Sequence, residues 1–350
     1  MTEHTPWWDR FQDRFLEHPV SWSMTLGAIV LAAWAIGPAW LAYRSLERFD
    51  GDADEAVETL NSIAQASEPD DAAEETEATR PEPIVGETTF LLVGTDDRSG
   101  LDDLTDFGDF EGRRADVVVV AVVDADRVEA RLVSLPRDLV APDLCGVHDE
   151  IRLADALEGC RTIGGETLLQ LTVEQITGIS IDHVASVDLE GFQEAVDELG
   201  GYEICVEHAV RDAASGLDLD AGCTAASGEQ TLAWIRSRKT EELVDGRWRT
   251  IPGANDLARN ARERQFLTDM FQRIIDATNV RQLQSLAATV APHLTLDSSL
   301  DLPRLVQTGW SMRLLTADAI ETVAIPVADE TLRQMAVLRP TVDVAAFLSE

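Results

Sequence analysis

Residues 88–93 read TTFLLV, and residues 117–123 read VVVVAVV. Both runs are continuously apolar, which indicates strands covered on both faces rather than strands with one face in water. Val128–Leu135 is a further strand candidate, and Ala319–Pro326 resembles a late strand. Gly94 follows the first run and predicts a sharp turn there. These segments predict the strands of a sheet.

Helical patterns alternate with these strands along the chain. Ser227 and Gln230 match a capping box and predict a helix that runs through Arg238. The other predicted helices are Gly165–Thr177, Leu189–Leu199, Asp256–Ala277 and a helix from Asp301 to about Leu315. Strands that alternate with helices predict an α/β domain in which helical layers cover a sheet.

The composition is strongly acidic. The 350 residues include 64 acidic and 28 basic side chains, for a formal charge of −36, and Lys239 is the single lysine. The isoelectric point is about 4.3. A nucleic-acid-binding protein needs dense positive charge for its phosphate contacts. The composition therefore argues against a nucleic-acid partner.

An uncharged stretch runs from Pro19 to Tyr43. About 20 apolar residues span the core of a bilayer, so this stretch predicts one transmembrane helix, assigned to residues 21–43 after a cytoplasmic segment of residues 1–20. Trp22 and Trp40 stand near its two ends, as expected at membrane interfaces. A cleaved signal peptide is the alternative, but the stretch is long and no short basic segment precedes it.

The four cysteines decide the predicted orientation, because the flanking arginines balance. Cys145 and Cys160 form one local pair and Cys205 and Cys223 another, with no CxxC motif. This usage is typical of two disulfides in an oxidising compartment, and neighbouring pairs are the favoured of three connectivities. Four buried thiols in a cytosolic protein are the alternative. We expect a single-pass cell-membrane protein with its bulk outside the cytoplasm.

Asp50–Pro83 is rich in Glu, Asp, Ala, Thr and Pro and has almost no large apolar residue. This composition predicts an extended acidic tether, within which Glu55–Ala66 permits a short helix. We therefore expect an acidic linker over residues 44–86, a folded domain over residues 87–330 and a C-terminal tail over residues 331–350.

One window reverses the acidic character of the chain. Residues 236–264 carry eight basic and five acidic side chains. Arg236 and Arg238 stand at a predicted helix end, and Arg259 and Arg262 share a helix face. Arginine binds phosphate oxygens through two parallel hydrogen bonds and stays charged. The window predicts phosphate binding, with a solvated, ion-paired surface as the alternative.

Acids and arginines also stand at the ends of the predicted strands. Asp96 and Arg98 follow the first strand, Arg114 and Asp116 precede the second, and Arg137 follows the third. Ligands of open α/β sheets bind beyond strand ends. Carboxylates can hold Mg²⁺ while arginines neutralise phosphate oxygens. The pattern predicts a metal-bridged phosphate site.

Five segments resemble, in order, the successive motifs of the LytR-CpsA-Psr family across roughly residues 87–326. They are FLLVGTDDR, RADVVVVAVVDAD, SLPRDL, GEQTLAWIRSRKT and NDLARNARERQFL. SGLDLDAGC also resembles the second-cysteine segment of actinobacterial members. One motif alone would be weak, but five in order are specific.

The resemblance implies a central mixed sheet between helical layers and a membrane-anchored phosphotransferase. Members of the family move a glycopolymer phosphate from a polyprenyl-pyrophosphate carrier to peptidoglycan, with the lipid in an apolar groove and the pyrophosphate among arginines and Mg²⁺. The implied partners are therefore that carrier, peptidoglycan and the membrane. The implied cofactor is Mg²⁺, with Mn²⁺ as the other candidate. We expect the lipid groove beside Val117–Val123 and the helix near Leu171–Ile179.

The motifs also imply individual roles. Asp96 and Asp116 resemble the metal-associated acids. The residues expected to act in catalysis are Asp96, Asp116, Arg137, Arg236 and Arg238. The residues expected to bind the substrate phosphates are Arg98, Arg114, Arg259, Arg262 and Gln265.

The last motif departs from the family pattern of Arg-Gln-Gln, since this chain reads Arg262-Glu263-Arg264-Gln265. Either Glu263 replaces a glutamine or the register shifts so that Arg264 and Gln265 are the match. Lys239 stands where the family usually has histidine.

Two other functions compete with ligation to peptidoglycan. One is a hydrolase that cleaves polyprenyl pyrophosphate with water as the acceptor. The other is a non-catalytic regulator or scaffold that only binds lipid phosphates. Asp96 and Asp116, if they hold a metal, favour an enzyme over the scaffold.

Overall fold

The computed structural model describes residues 43–67, 79–83, 86–96, 113–124, 126, 129–160, 163–251, 262, 265–266, 269–270, 273, 280–300, 315–316 and 319–349. The predicted transmembrane segment lies outside these residues except for its last one. No helix within the described ranges has the length and apolar character needed to cross a bilayer.

The described strands and helices are as follows. The strands are β1 (Glu47–Phe49), β2 (Thr88–Thr95), β3 (Ala115–Val123), β4 (Ala130–Leu135), β5 (Val140–Pro142), β6 (Glu150–Arg152), β7 (His183–Val187), β8 (Tyr202–Val206), β9 (Val210–Asp212), β10 (Leu217–Leu219), β11 (Gly222–Ala226), β12 (Glu241–Val244), β13 (Arg247–Thr250), β14 (Leu294–Asp297), β15 (Ile320–Ala324), β16 (Val327–Leu332) and β17 (Met335–Pro340). The α-helices are α1 (Ala53–Ser67), α2 (Gly165–Thr177), α3 (Leu189–Glu198), α4 (Gly228–Arg236), α5 (Val280–Val290) and α6 (Val344–Leu348).

A seven-stranded sheet in the order β1-β14-β7-β2-β3-β4-β15 forms the centre of the fold. It is mixed, because β2 pairs parallel with β7 but antiparallel with β3, and β4 pairs antiparallel with β3 but parallel with β15. The two apolar runs of the sequence are the neighbouring strands β2 and β3. The predicted α/β class with a central mixed sheet is confirmed.

The two faces of the sheet have different coverings. Leu91 and Val120 are fully buried on one face, in a core that includes Leu169 and Val173 of α2. Neighbouring residues along each strand point to opposite faces. Side chains such as Leu92 therefore lie on the other face, where they form the floor of a large cavity.

The helix predictions are confirmed closely where the described residues test them. Helix α2 has the predicted bounds, and α3 ends one residue early at Glu198. The capping box of α4 is complete: the Ser227 hydroxyl accepts the Gln230 backbone N–H, and the Gln230 side chain accepts the Ser227 N–H. Helix α4 ends at Arg236 instead of Arg238, because Ser237 has extended backbone angles. The helix predicted from Asp301 lies outside the described residues except for Leu315, and Asp256–Ala277 lies only partly within them.

The turn predicted at Gly94 is wrong. Gly94 continues β2 and pairs with Val117, and the register of the two strands shifts between Gly94 and Thr95. A Cβ atom on Gly94 would lie 3.1 Å from the Cβ of Val117, so the close approach of the strands favours glycine. Such an irregularity redirects the residues that follow it. Here it precedes Asp96 at the end of the strand.

The linker expected over residues 44–86 needs correction. Strand β1 forms one edge of the main sheet and is parallel to β14. Helix α1 buries Ala53, Ala56 and Leu60 against a cluster that includes Leu168 and Leu171 of α2. The contact face is made mainly of alanines spaced along one side of the helix. The short helix permitted over Glu55–Ala66 is confirmed as α1, but a search for large apolar residues missed its buried face.

The tail expected over residues 331–350 also belongs to the folded domain. Strands β16 and β17 form a hairpin, and Leu338 is buried. In α6, Val344 and Leu348 are part of the main core. The Asp343 side chain caps this helix by accepting the Ala346 backbone N–H.

Two disulfides join the cysteines in neighbouring pairs, Cys145–Cys160 and Cys205–Cys223. Cys205 and Cys223 face each other across the antiparallel pair β8 and β11. Cys145 and Cys160 lie beside the cluster formed by α1 and α2. The favoured pairing of neighbouring cysteines is therefore confirmed, and the alternative of four separate thiols is not.

Candidate active site

A cavity of about 810 Å³ lies on the face of the sheet opposite α2. Its floor comes from the central strands, including Leu92 of β2, Val119 of β3 and Ala185 of β7. Its apolar wall comes from the helices on that side. The wall residues are Leu189, Phe192, Leu232, Ile235 and Phe266.

Only one of the two segments expected beside the lipid groove lines this cavity. Val117 and Val119 line the cavity, as expected for the β3 strand. The helix near Leu171–Ile179 does not line it, because α2 packs on the opposite face of the sheet. The sequence showed that both strand faces are apolar, but it did not show which helices cover which face.

Charged residues also line the same cavity. Six basic and four acidic side chains line it, in a chain whose net charge is −36. The basic residues are Arg114, Arg137, Arg152, Arg236, Arg238 and Lys239, and the acidic residues are Asp96, Asp116, Asp188 and Asp212. They come from seven separate stretches of the sequence. The structure thus brings together six of the ten predicted active-site residues: Asp96, Arg114, Asp116, Arg137, Arg236 and Arg238.

Arg137 is bound on two sides by carboxylates. Its Nη1 donates to Oδ1 of Asp116 at 2.5 Å, and its Nε donates to Oδ2 of Asp138 at 3.4 Å. Burial by itself lowers the pKa of Arg137, but the charges of Asp116 and Asp138 outweigh burial and raise the pKa above its ordinary value. Arg137 is therefore a fixed positive charge at the cavity wall.

Arg152 is a cavity residue that sequence reasoning missed. It forms a bidentate pair with Asp155, at 2.9 and 2.7 Å, which fixes the plane of its guanidinium group. Asp155 also lies 3.8 Å from Nε of Arg114, so one carboxylate serves two arginines of the cavity. The sequence did offer one signal for this pair: Arg152 and Asp155 are three residues apart, a spacing that permits an ion pair.

Asp212 is a second residue that sequence reasoning missed. It ends β9 and is only 4% exposed. Its Oδ2 accepts hydrogen bonds from the Ser237 hydroxyl and from the backbone N–H groups of Arg238 and Lys239, at 2.8, 3.0 and 2.9 Å. This carboxylate therefore sets the backbone path just after α4, where two basic cavity residues follow each other.

Burial by itself raises the pKa of Asp212. Hydrogen bonds from Lys239, Ser237, Ala214 and Arg238 outweigh burial and hold the pKa below its ordinary value. An aspartate in the unfolded chain has a pKa of about 3.9. The ionised carboxylate therefore stabilises the fold above that pH, and its contribution is lost as the pH falls through the lower, folded-state pKa.

Replacing Asp212 with asparagine is expected to lower the free energy of unfolding at pH 7 by about 1.5–3 kcal/mol, the usual contribution of hydrogen bonds to a charged group. The difference from wild type should shrink as the pH falls below about 4, since the wild-type carboxylate then protonates. Urea denaturation at several pH values measures both effects. Asp218→Asn, on the exposed side of the neighbouring strand β10, is the matched control. A loss no larger than that of the control would contradict the role of Asp212.

The remaining predicted residues lie elsewhere. Arg262 does not line the cavity: its Nη2 donates to the backbone oxygen of Ser237, and its guanidinium lies 4.9 Å from the ring centroid of Trp234. It therefore contacts the same loop as Asp212, from outside the cavity. Gln265 is exposed and donates to Oδ1 of Asp269 at 2.8 Å. Arg98 and Arg259 lie outside the described residues.

One further group of possible metal ligands occurs in the described part of the chain. Single ligand atoms of Glu190, Glu194 and His293 all lie within 4.8 Å of one another. His293 Nδ1 is also 3.2 Å from Oδ2 of Asp188. This group lies at the start of α3 and was not predicted from the sequence.

The α/β domain therefore contains a cavity lined by both apolar and basic side chains, which suits an amphiphilic anion. The sequence profile of the LytR_cpsA_psr family matches residues 55–345. The chain belongs to the LytR-CpsA-Psr family.

Known proteins resemble this chain over parts of their length. The probable cell wall biosynthesis protein LcpB of Corynebacterium glutamicum is 33% identical over 186 residues, which cover 52% of this chain and 40% of LcpB. The polyisoprenyl-teichoic acid–peptidoglycan teichoic acid transferase TagU of Enterococcus faecalis is 28% identical over 199 residues, which cover 57% of this chain and 60% of TagU. The matches thus span less than two thirds of either relative.

A solved structure supports the fold. The LytR-Csp2A-Psr enzyme from Actinomyces oris superposes with a TM-score of 0.59 at 28% sequence identity. The superposition covers 79% of this chain and 94% of that structure. The mixed sheet and its surrounding helices are therefore the fold of a known member of the family.

Proposed function

We propose that this protein is a phosphotransferase that moves a glycopolymer phosphate from a polyprenyl-pyrophosphate carrier to peptidoglycan. The observation that carries the proposal is one cavity whose lining combines six basic side chains with an apolar wall. A polyprenyl pyrophosphate has the same division, with a prenyl chain next to a strongly charged group. The name of the relative TagU supports this substrate class.

The apolar wall would hold the prenyl chain near the pyrophosphate. Leu92, Val119, Phe192 and Ile235 present apolar surface to the cavity, and burial of such surface contributes about 25 cal/mol per Å². A long prenyl chain would therefore supply most of the binding energy. The arginines would then fix the position of the phosphates.

The reaction forms one P–O bond and breaks another. A sugar hydroxyl of peptidoglycan attacks the phosphorus that carries the glycopolymer, and the bond from that phosphorus to polyprenyl phosphate breaks. The hydroxyl proton passes to a carboxylate of the site, Asp96 or Asp116, and polyprenyl phosphate leaves as a stable anion. Arg137 and Arg236 would stabilise the charge that spreads over the phosphoryl oxygens in the transition state.

Asp96 and Asp116 fit a divalent cation. Both line the cavity, and the Asp96 backbone N–H donates to the backbone oxygen of Arg114 at 2.9 Å, which joins the two strand ends. Arg137 binds Oδ1 of Asp116, and no other described residue binds Oδ2. Carboxylate oxygens are the ligands that Mg²⁺ prefers, with Mn²⁺ as the other candidate. When bound, the ion would supply positive charge against the phosphate oxygens.

The products distinguish this proposal from its alternatives. Purified protein is incubated with a lipid-linked glycopolymer, with and without uncrosslinked peptidoglycan strands, and the products are separated by mass. We expect a phosphodiester between the two glycans only when the strands are present. Release of glycopolymer phosphate into water at the same rate in both cases would indicate the hydrolase. Carrier binding without metal-dependent turnover would indicate the scaffold.

We also infer that the folded domain lies outside the cytoplasm on a single-pass membrane anchor. The two disulfides support the oxidising side, and the uncharged run before Arg44 supports the anchor. Protease added to intact spheroplasts is expected to digest the domain. Digestion only after lysis would contradict this topology.

A further inference from the structure

A second cavity, of about 340 Å³, adjoins the first. Thr95 of β2, Ser186 of β7 and Asp188 line both cavities. Strands β2 and β7 are parallel, so the two cavities meet at the carboxyl ends of neighbouring parallel strands. This is the edge of an α/β sheet at which ligands usually bind.

The wall of the second cavity differs from that of the first. Nine of its eleven lining residues are polar or charged, and the exceptions are Phe49 and Pro292. Three acidic residues, Glu47, Glu166 and Asp188, stand against the two arginines Arg48 and Arg113. The wall therefore has no basic excess to attract a phosphate and no apolar stretch to hold a prenyl chain.

Adjacent residues divide between the two cavities. Arg114 lines the first cavity, whereas Arg113 lines the second and donates to Oε1 of Glu166 at 2.7 Å. Glu166 belongs to α2, which packs on the face of the sheet opposite the first cavity. A ligand in the second cavity would thus approach the charged residues of the first cavity from the α2 face of the sheet.

The chemistry of the wall fits a neutral, hydroxyl-rich ligand. Carboxylates such as Glu166 accept hydrogen bonds, arginines such as Arg113 donate them, and the hydroxyls of Thr95, Ser186 and Thr295 do both. The volume lies in the range of small-ligand sites. A sugar ring carries donors and acceptors around its whole edge and no charge, so it matches this wall better than a phosphate or a lipid does.

We propose that the second cavity binds the acceptor sugar of peptidoglycan. This inference rests on the proposed function, which requires a second substrate whose hydroxyl reaches the phosphorus from the side away from the leaving group. The prenyl phosphate leaves along the apolar wall of the first cavity. Thr95 and Asp188 line both cavities, so an acceptor hydroxyl in the second cavity would lie next to a phosphate bound in the first.

Two substitutions test this assignment in the full-length protein. Glu166→Gln removes a carboxylate from the wall with little change in volume, and Thr295→Tyr fills the cavity from β14 while it keeps a residue suited to strands. Glu203→Gln, an exposed position on β8 outside both cavities, is the control. Each variant is assayed for transfer at increasing concentrations of peptidoglycan strands and, separately, for affinity for polyprenyl phosphate.

We expect the acceptor KM to rise by about tenfold or more in both cavity variants, which corresponds to the loss of a hydrogen bond to a charged group. Affinity for polyprenyl phosphate should stay within about twofold of wild type, because weaker binding of the acceptor changes only the KM for the acceptor. An unchanged acceptor KM in both variants would overturn the inference. Reduced affinity for the carrier would also overturn it, since the cavity would then hold the donor. A wild-type protein that binds the carrier but transfers to no glycan would instead overturn the proposed function.

Discussion

Replacing Arg80 with methionine is expected to lower the free energy of unfolding by about 3–5 kcal/mol. Arg80 donates from Nε and Nη2 to the two oxygens of Glu174, at 2.9 and 2.8 Å. The Glu174 side chain is 1% exposed, and its hydrogen bonds raise the pKa of Arg80 above the ordinary value. Without Arg80, a buried carboxylate would lose its charge partner. Equilibrium denaturation of the chain from residue 43 onward measures the effect.

A double variant separates the buried charge from other consequences of the substitution. Adding Glu174→Gln to the Arg80→Met variant should restore part of the lost stability, because it removes the unpaired charge. In the wild-type protein the Ile181 N–H donates to Oε1 of Glu174 at 2.8 Å, and a neutral amide oxygen can still accept this hydrogen bond. Arg249→Met is the control, since its ion pair with Asp245 is exposed and 3.9 Å long and is expected to contribute below about 1 kcal/mol. An Arg80→Met variant as stable as this control would contradict the account. The position of Arg80, in a segment expected to be a tether, makes the result informative about the domain boundary.

Replacing Arg236 with methionine is expected to lower the rate of glycopolymer transfer by about 10²–10³-fold, the usual cost of removing one positioned group that stabilises transition-state charge. Arg236 is the last residue of α4 and lines the first cavity. Its side chain is only partly buried, so we expect the fold to tolerate the change. The measurement is kcat/KM for transfer, together with the free energy of unfolding.

Arg249→Met is the matched control for this experiment also. Arg249 belongs to the same basic window, but it is exposed on β13 and lines neither cavity. Its replacement should leave transfer within about twofold of wild type, as for surface substitutions away from a site. Equal rates for the two variants would indicate that the basic window is a solvated surface, which is the alternative that the sequence left open.

Local patterns were sufficient to predict the central elements of the fold. The apolar runs at 88–93 and 117–123 predicted β2 and β3, and the pattern of Gly165–Thr177 predicted α2 with its bounds. Such patterns depend only on residues close together in the chain, so they can be recognised in a single sequence. Helix α1 was underestimated because its buried face is mainly alanine, and a small apolar face becomes decisive only when another helix packs against it.

The candidate site was predictable where strand ends or a motif marked it. Asp96, Asp116, Arg137 and Arg236 all line the cavity. Asp212 could not be predicted in the same way, because its partners are the backbone N–H groups of a loop that lies 26 and 27 residues later in the chain. Any residue type offers such groups, so the sequence carries no mark of the contact. The second cavity could not be predicted either, because it forms where β1 and β14 lie beside β7. Local sequence patterns do not reveal this strand order.

The most direct test of the central claim is a crystal structure of this protein with a polyprenyl pyrophosphate. We predict that the phosphates lie within hydrogen-bond distance of Arg137 and Arg236, and that the prenyl chain contacts Leu92 and Ile235 in the same cavity. Phosphates bound away from these arginines, or a prenyl chain outside the cavity, would contradict the claim that separated arginines and aspartates form one lipid-phosphate site.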